Sequence, residues 1–437
     1  MQILDWQALD SPQRRLALAR PAAELQLQTA MQAQAIIDAV RAQGDAALTY
    51  YAREFDGVEL TRLEVTRAEF AAARAQLQPA QLAALERAMA NVDLFHRAAL
   101  PASLALAVQP GVQCERLIRP ITAVGLYVPA GSAPLPSTVL MLAVPARIAG
   151  CPRRVLCTPP QRDGLASAAV LVAAQLCGIE QVFKIGGAQA IASLAYGTES
   201  VPKVAKIFGP GNPWVTAAKQ LVAADPAGAA LDMPAGPSEV LVIADDSASA
   251  EFVAADLLAQ AEHDARSQVL LVTTCAVLAQ QVADAVARRL RDQSRLPILQ
   301  QSLAESRILI VPDLHTALAV SEAYAPEHLM IQTRDPRALL AGVHNAGSVF
   351  LGNWSPVTMG DYCSGTNHVL PTYGYARAYS GLSVVDFTRR MTVQELTAQG
   401  LRDLGPTAAT LARLEGLDAH AEAVDLRLEA LRSQCSA

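Results

Sequence analysis

The sequence lacks a long apolar run, an excess of positive charge and a regular pattern of cysteines. No uninterrupted apolar stretch reaches the roughly 18 residues that a membrane helix needs. The formal net charge is −6, which argues against a nucleic-acid-binding protein, since such a protein normally has a basic face. The seven cysteines have irregular spacing and form neither a disulfide framework nor a CxxC zinc pattern. With no secretory signal at the start, we expect reduced thiols in a cytoplasm.

The local sequence pattern changes along the chain of 437 residues. Ala, Leu, Gln and Glu at helical spacing predict helices in residues 35–41, 44–55 and 67–97. From residue 121 onward, short β-branched runs alternate with Ala-rich helical stretches, which predicts parallel sheets with helices on both faces. The predicted strands are residues 124–128, 155–158, 182–185, 206–208, 240–244, 269–273, 307–311 and 348–351.

The expected fold class is α/β, with two doubly wound, incomplete Rossmann-like domains and helical extensions at both ends. The predicted parts are an N-terminal helical extension (1–21), a discontinuous first domain (22–126 and 238–382), a nucleotide-binding second domain (127–237) and a C-terminal helical tail (383–437). Within the tail, helices are predicted at residues 392–399, 406–415 and 419–431. The tail is short for a domain, so we expect it to pack on a partner subunit.

A possible metal site begins at the end of an apolar helical run, in Gln260-Ala261-Glu262-His263. Positions three apart on a helix share a face, so Gln260 and His263 would project together. An imidazole and an amide oxygen could form half of a zinc site, although Gln is an unusual zinc ligand. From the helix alone, the simpler role for His263 is to neutralise the negative helix end.

Two more of the seven histidines lie in segments with acidic residues. Asp361 and His368 belong to residues 360–368, a polar segment predicted as a loop, and such loops commonly carry a site. Asp361 could ligate a metal, and His368 could ligate it or bind substrate. Cys363 could be a soft ligand or a nucleophile, but an ordinary turn residue is the preferred interpretation.

The other segment is Pro326-Glu327-His328, just before a predicted strand start at residues 329–331. A Glu that activates water and a His that accepts a proton make a general-base pair. Successive side chains on a strand point to opposite faces. Glu327 and His328 would therefore reach one cavity only if the backbone where the loop meets the strand is irregular. A surface Glu beside a structural His would fit the same residues.

Three glycine-containing turns follow predicted strands and precede helices, at residues 126–134, 184–190 and 208–214. None is a complete Gly-x-Gly-x-x-Gly fingerprint, and Trp214 stands where one third glycine would be. Each turn offers backbone N–H groups at a helix N-terminus, which suits a phosphate. Any single one could be only a tight turn, but three together favour a phosphorylated ligand.

Eight segments, in order along nearly the whole chain, resemble the histidinol dehydrogenases. They are residues 125–134, 185–191, 208–212, 232–240, 260–263, 326–329, 360–372 and 414–420. The resemblance implies a zinc-dependent, NAD-linked oxidation of L-histidinol to L-histidine, in two hydride transfers through an aldehyde. It also implies one Zn²⁺ per subunit and a homodimer in which the C-terminal tail reaches the partner's site.

The resemblance assigns roles to residues at matching positions. Glu327 and His328 would be the acid–base pair. The zinc ligands would be Gln260, His263, Asp361 and His420. Histidinol would contact His328, these ligands and three further residues, Ser238, His368 and Glu415. The residues that contact NAD would be Tyr127, Gln189 and Asn212.

Some positions depart from the family pattern or gain a role only from it. Glu415 and His420 would otherwise be interpreted as solvated helix residues. Ala130 stands where the family more often has Gly, and Pro213-Trp214 replaces a more open pair, so NAD affinity is the property that these departures affect. Cys363 replaces a small residue and has no implied role.

Two other functions fit the residues when they are considered without the resemblance. One is a zinc hydrolase that uses Glu327 and metal-bound water and needs no nicotinamide. The other is a non-catalytic ligand-binding protein on a doubly wound scaffold. The adjacent Glu–His pair argues against a protein that only binds, since binding does not need a water activator. Substrate-dependent formation of NADH separates the hydrolase from the dehydrogenase.

Overall fold

A computed structural model describes residues 1–21, 26–130, 133–234 and 236–434. The chain divides into two units. Unit 1 comprises Met1–Ala99 and Ile121–Phe387, and unit 2 comprises Leu100–Pro120 and Thr388–Ala437.

The first sheet of unit 1 contains only parallel pairings among its described strands. Its strands are β1 (Gln2–Asp5), β9 (Glu239–Ala244), β10 (Gln268–Thr273), β11 (Arg307–Ile310), β12 (His328–Gln332) and β13 (Ser348–Leu351). Their order is β1-β11-β10-β9-β12-β13, so the direction of winding reverses between β9 and β12. Strands β9, β10 and β12 are buried along their whole length, as expected for parallel strands covered on both faces.

The second sheet of unit 1 is also parallel in all its described pairings. Its strands are β4 (Ala123–Tyr127), β5 (Arg153–Thr158), β6 (Gln181–Lys184), β7 (Lys206–Phe208) and β8 (Ala230–Leu231). Their order is β6-β5-β4-β7-β8, so the winding reverses between β4 and β7. In open α/β sheets the crevice outside the carboxyl ends at such a reversal is the usual ligand site.

Helices connect the strands of unit 1 and cover both sheets. They are α1 (Ser11–Ala17), α2 (Gln26–Gln43), α3 (Asp45–Tyr51), α4 (Arg67–Gln76), α5 (Pro79–Ala98), α6 (Pro136–Ile148), α7 (Ala168–Leu176), α8 (Gly187–Tyr196), α9 (Pro213–Ala224), α10 (Ala250–Ala261), α11 (Ala276–Leu290), α12 (Leu296–Ala304), α13 (Leu314–Tyr324), α14 (Pro336–Leu340) and α15 (Val357–Tyr362). Alternate strand residues enter different apolar clusters: Val240 and Val242 pack on one face of the first sheet, and Leu241 on the other. Each sheet therefore has a core on both faces.

Unit 2 combines a small antiparallel sheet with a pair of helices. The sheet contains β2 (Leu104–Gln109), β3 (Val112–Pro120) and β14 (Thr388–Leu396), in the order β14-β3-β2. The helices are α16 (Ala398–Leu414) and α17 (Asp418–Gln434), which pack on each other. An ion pair between Arg413 and Asp425 joins them.

The α/β class with two parallel sheets is confirmed, and each predicted strand is present to within two residues. The helix predicted at 392–399 is wrong for most of its length, because Thr388–Leu396 pairs with β3 as strand β14. The N-terminal extension, predicted as helical, begins with strand β1 at the edge of the first sheet. In both cases a partner strand distant in sequence, rather than local composition, determines the structure.

The predicted domain division stays a prediction, and residues 22–25, where its first domain begins, lie outside the described residues. Within the described part of the chain, no helix is both long and apolar enough to cross a membrane. The described cysteines are free thiols.

Candidate active site

Glu327 and His328 lie together at the amino end of β12, with His328 as the first residue of the strand. The two side chains are buried, with 6% and 3% of each residue exposed. Both reach the backbone of Glu239, the first residue of the neighbouring strand β9. The Glu239 N–H donates to Glu327 Oε2 at 2.8 Å, and His328 Nδ1 lies 3.0 Å from the Glu239 carbonyl oxygen. Ala325, with φ of 55°, provides the irregular junction that such convergence requires.

The contacts of His328 determine which ring nitrogen is free. A carbonyl oxygen only accepts hydrogen bonds, so Nδ1 carries the proton that faces Glu239. Nε2 is buried, has no hydrogen-bond partner among the described residues, and lies 3.4 Å from Asp361 Oδ1. Burial lowers the pKa of His328, but the carboxylates of Glu327 and Asp361 outweigh burial and raise this pKa well above its ordinary value. The surroundings of His328 thus hold an excess of negative charge, which a cation would balance.

Asp361 lies on the short helix α15, so the loop predicted for residues 360–368 is wrong over its first residues. The helix packs closely on β13: a Cβ added at Gly360 would lie 2.6 Å from the ring of Phe350. A side chain at position 360 would therefore push Asp361 away from His328. Burial raises the pKa of Asp361, but the close imidazole of His328 and the nearby His368 and His263 lower it below its ordinary value.

His368 is held at both ring nitrogens. Its Nδ1 donates to the carbonyl oxygen of Asp361 at 2.6 Å, and its Nε2 lies 3.2 Å from Thr138 Oγ1 on α6. The preceding Asn367 is buried and donates from Nδ2 to the Met141 carbonyl at 2.7 Å. The segment that carries His368 is thereby fixed to helix α6 as well as to Asp361.

Gln260 and His263 differ in their surroundings. Helix α10 ends at Ala261, so His263 lies beyond the last turn, and the helical-spacing argument applies to Gln260 alone. Gln260 is 1% exposed; its Nε2 lies 3.4 Å from His328 Nδ1. Its Oε1 is buried and accepts no hydrogen bond from any described residue. His263 is exposed but near enough to Asp361 to lower the pKa of that carboxyl.

These side chains fit a divalent metal ion. An unsatisfied buried amide oxygen is unfavourable, and ligation to a cation would satisfy the Oε1 of Gln260. The carboxylate of Asp361 and the imidazole of His263 are common zinc ligands. No group of three or more His, Cys, Asp or Glu side chains within the described ranges is placed to hold a metal. Of the four predicted ligands, unit 1 contains Gln260, His263 and Asp361, one fewer than a four-coordinate zinc site needs.

The other predicted substrate and metal residues lie in different parts of the chain. Ser238 is half-buried, immediately precedes β9 and accepts from Gln268 N at its carbonyl, 3.2 Å away. Glu415 and His420 belong to unit 2: Glu415 caps the carboxyl end of α16, and His420 lies near the start of α17. Both are exposed.

Tyr127 is the last residue of β4, and Gln189 and Asn212 follow the carboxyl ends of β6 and β7 in the same sheet. The Tyr127 hydroxyl accepts from the N–H of Gly187 at 3.1 Å, and Gln189 Oε1 is buried without a partner in the described part of the chain. Asn212 caps α9, with its Oδ1 accepting from Val215 N at 3.0 Å. Since β4 and β7 flank the winding reversal, these residues surround the place where such sheets bind ligands.

The turn before Asn212 is held by a buried ion pair that the sequence did not reveal. The N–H of Gly209 donates to Asp232 Oδ2 at 2.8 Å, and its carbonyl accepts from Lys219 Nζ at 2.9 Å. Lys219 and Asp232 also form an ion pair with each other, 7% and 1% exposed. Asp232 lies in a segment of the family resemblance, but nothing in the local sequence distinguishes Lys219 on its helix.

Pro213 and Trp214, which depart from the family pattern, both have structural roles. Pro213 occupies the first position of α9, which favours Pro because that N–H has no helical partner. Trp214 Nε1 donates to Gln32 Oε1 on α2 at 2.9 Å. Residues 131 and 132, next to Ala130 in the first glycine turn, lie outside the described residues.

The chain matches histidinol dehydrogenases along nearly its whole length. The family model of histidinol dehydrogenase matches residues 18–428. The chain is 57% identical over 428 residues to the histidinol dehydrogenase of Xanthomonas oryzae pv. oryzae, covering 98% of this chain and 99% of the relative. It is 52% identical over 434 residues to that of Vibrio vulnificus, covering 99% and 100%. The crystal structure of histidinol dehydrogenase from Elizabethkingia anophelis matches with a TM-score of 0.93 at 43% identity, covering 99% of each chain.

We predict that Gly209→Ala weakens NAD binding by about tenfold, as measured by calorimetric titration. Gly209 has φ of 122°, and an added Cβ would lie 2.1 Å from the Tyr127 carbonyl oxygen. Relieving such a clash costs about 1–3 kcal/mol, and a tenfold change in affinity corresponds to about 1.4 kcal/mol. Gly178→Ala is the control, because Gly178 has φ of 69° but its nearest contact would be 3.8 Å away. Equal NAD affinity in the two variants would contradict a nucleotide site at this turn.

Proposed function

The chain belongs to the histidinol dehydrogenase family, and from that membership we propose how its residues carry out the reaction. It is an NAD-dependent oxidoreductase that converts histidinol to histidine in histidine biosynthesis. The observation that carries the residue-level proposal is the convergence of Glu327 and His328 on the Glu239 peptide, beside Asp361 and Gln260. Two bases of different type thus lie next to side chains suited to a cation.

Zn²⁺, one per subunit, is the proposed metal. Its proposed ligands are Gln260, His263, Asp361 and His420. The unsatisfied Gln260 Oε1 and the excess negative charge near His328 support a cation here. When bound, zinc supplies a positive centre that anchors and orients the substrate nitrogens, and NAD supplies the acceptor for hydride.

The proposed bases act in sequence on the alcohol and on the aldehyde. In the first oxidation, carbon loses a hydride while His328 Nε2 takes the hydroxyl proton, which gives L-histidinaldehyde. In the second, Glu327 takes a proton from the water that attacks the aldehyde, and loss of a second hydride gives the acid. Each base contributes on the order of 10²–10⁴ in rate. Four electrons leave the substrate in all.

Further residues are proposed to contact histidinol. Ser238 directly precedes Glu239, and His368 is tied to the Asp361 backbone, so both are within the same group of strand ends and loops. Glu415 is the third, together with the metal ligands and His328. For NAD, the proposed contacts are Tyr127, Gln189 and Asn212.

A homodimer with shared sites is proposed, in which the tail of one subunit supplies Glu415 and His420 to the other. Unit 2 exposes large apolar side chains in this tail: Leu411, Leu414 and Leu417 are 55%, 77% and 42% exposed. Strand β2 is also exposed along almost its whole length. Exposed apolar surface of this kind marks protein–protein contact. The metal set in unit 1, one ligand short, supports the same proposal.

The proposed location is the cytoplasm. Reducing conditions there keep thiols free, and the described cysteines are free thiols. No partner other than the second subunit and the small-molecule substrate is proposed.

We predict that histidinol-dependent formation of NADH stops when the metal is removed by a chelator and returns when Zn²⁺ is added.

His263→Asn should lose zinc, because one of the proposed ligands is removed, and elemental analysis of the purified protein measures this. His344→Asn is the control, since His344 is an exposed histidine outside the site. Stoichiometric zinc in His263→Asn would remove His263 from the ligand set. Turnover of a substrate without NADH formation would instead favour a hydrolase.

We predict that Glu327→Gln oxidises L-histidinaldehyde more slowly by about 10²-fold or more, with little change in histidinol binding. The amide keeps the shape of the side chain but cannot take a proton from water. Rapid-mixing measurement of NADH formation from the aldehyde, with calorimetry for histidinol, tests both parts. Full aldehyde oxidation at neutral pH would show that another group activates the water.

We predict that mixed dimers of His420→Asn and Glu327→Gln subunits recover activity on the order of half that of the wild-type dimer, since one of two shared sites is intact. Each variant alone should form histidine at a small fraction of the wild-type rate. The control places both substitutions on one subunit and pairs it with a wild-type subunit. Shared sites leave that dimer inactive, whereas self-contained sites leave it half-active and the first pair inactive, so the two dimers give opposite answers.

A further inference from the structure

A buried ion pair between Arg20 and Glu239 lies behind the candidate catalytic side chains. Arg20 donates from Nε and Nη2 to the two carboxylate oxygens of Glu239, the second contact at 2.9 Å, and the side chains are 15% and 3% exposed. Arg20 Nη2 also donates to the Tyr324 carbonyl at 2.9 Å, and its guanidinium lies 4.0 Å from the Tyr324 ring centre. A buried pair needs such additional partners to offset its desolvation. The Glu239 side chain therefore has a single well-defined position.

The Glu239 backbone is the group that both candidate bases contact. Its N–H donates to Glu327 Oε2 at 2.8 Å, and its carbonyl lies 3.0 Å from His328 Nδ1. A rotation of this one residue would move the two contacts together. The position of the Glu239 side chain, set by Arg20, is thus coupled to the position of both bases.

The segment that carries Arg20 is itself anchored at the amino ends of the strands. Gln268, the first residue of β10, donates from Nε2 to the Ala19 carbonyl at 2.9 Å. The Tyr324 hydroxyl donates to Gln268 Oε1 at 2.8 Å. The adjacent residue and the aromatic ring beneath the guanidinium are therefore fixed to the same edge of the sheet that carries Glu239 and His328.

Backbone strain is concentrated around the same pair. Among the described residues, Ala325 and Tyr373 are the non-glycine residues with positive φ, each at 55°. The Ala325 carbonyl accepts from Arg20 Nη2 at 3.4 Å, and the Tyr373 N–H donates to Glu239 Oε1 at 3.0 Å. Such conformations cost about 1 kcal/mol or more and tend to persist where a functional arrangement requires them.

We propose that Arg20 and Glu239 are positioning residues, which hold Glu327 and His328 in their reactive geometry through the Glu239 backbone. The inference rests on the proposed roles of those two bases. A misplacement of about 1 Å can reduce a rate by on the order of 10²-fold, so loss of the pair should lower kcat. If the pair were only a structural tie for the N-terminal segment, its loss would lower stability and leave the turnover of folded molecules unchanged.

The first experiment compares variants of the pair with a matched control on the same strand. Arg20→Met leaves the Glu239 carboxylate buried without its partner, which strongly destabilises the fold. The double variant Arg20→Met/Glu239→Gln removes both charges, so it tests the inference in a protein that stays folded. Asp245→Asn is the control: Asp245 is 8% exposed just beyond the far end of β9 and accepts from Arg334 N at 3.0 Å.

The expected result is a fall in kcat of about tenfold or more in both Arg20 variants, with an unchanged KM for NAD and full zinc content. Asp245→Asn should lower the melting temperature but keep its kcat per folded molecule. A wild-type kcat in the folded Arg20→Met/Glu239→Gln protein would overturn the inference.

A double-mutant cycle with Glu327→Gln shows whether the effect acts through the base. Aldehyde oxidation is measured in the wild type, in Arg20→Met, in Glu327→Gln and in the combination. If Arg20 acts through Glu327, its effect should largely disappear once Glu327 is replaced, whereas fully additive losses would overturn the inference. If Glu327→Gln alone oxidises the aldehyde normally, the role of Glu327 is wrong, and the same cycle on histidinol oxidation with His328→Asn decides the inference.

Discussion

The N–H and carbonyl groups of Glu239 hold two side chains of the neighbouring segment, and the arrangement of the candidate site depends on this contact. Strands β9 and β12 are parallel, with His328 opposite Val240, so Glu239 lies just before the paired part of the ladder. Buried backbone groups at a strand end need partners from outside the ladder. Here Glu327 and His328 are those partners. The same hydrogen bonds therefore stabilise the end of β9 and fix the geometry of the site.

The two carboxylates nearest this contact differ in the charges that face them. Glu239 is paired with Arg20, while Asp361 has imidazoles and no Arg or Lys as its ion-pair partner in the described residues. Its negative charge and that of Glu327 raise the pKa of His328 despite burial. A bound divalent cation would offset Asp361 and so make Nε2 of His328 easier to keep unprotonated. The metal would therefore help His328 to act as a base, as well as orient the substrate.

The strands were predictable because each is a short, mostly apolar run, and burial on both faces selects such runs. Residues 269–273 are an example, found within β10. Glu327 and His328 could be recognised as a pair from chemistry alone, and Gln260, His263, Asp361 and His368 as possible ligands or substrate contacts. The roles of Ser238, Glu415, His420 and the NAD-contacting residues needed the resemblance. Helix α15 was not predictable, since it is short and its packing depends on Gly360 against Phe350. Strand β14 was missed because its partner β3 lies far away in the sequence.

Arg20 illustrates a different limit of sequence reasoning. It stands in a short N-terminal segment with no apolar periodicity, and its partner Glu239 lies within a run of apolar residues and glycine or proline turns. A single charged residue beside a buried strand gives no sign of its partner. Only the fold, which brings the N-terminal segment to the amino ends of β9 and β10, brings the two charges together.

The two sheets present different edges to their proposed ligands, and the helix ends explain the difference. In the second sheet, Gln189 and Asn212 lie at the amino ends of α8 and α9, which follow the carboxyl ends of β6 and β7. Helix N-termini carry partial positive charge and suit the phosphates of a nucleotide. In the first sheet, Gln260 and His263 come from the carboxyl end of α10, which the right-handed crossover returns to the amino ends of the strands. Helix C-termini carry partial negative charge and favour cations. An anionic cofactor and a metal ion are therefore each matched to the edge whose helix dipoles have the opposite sign.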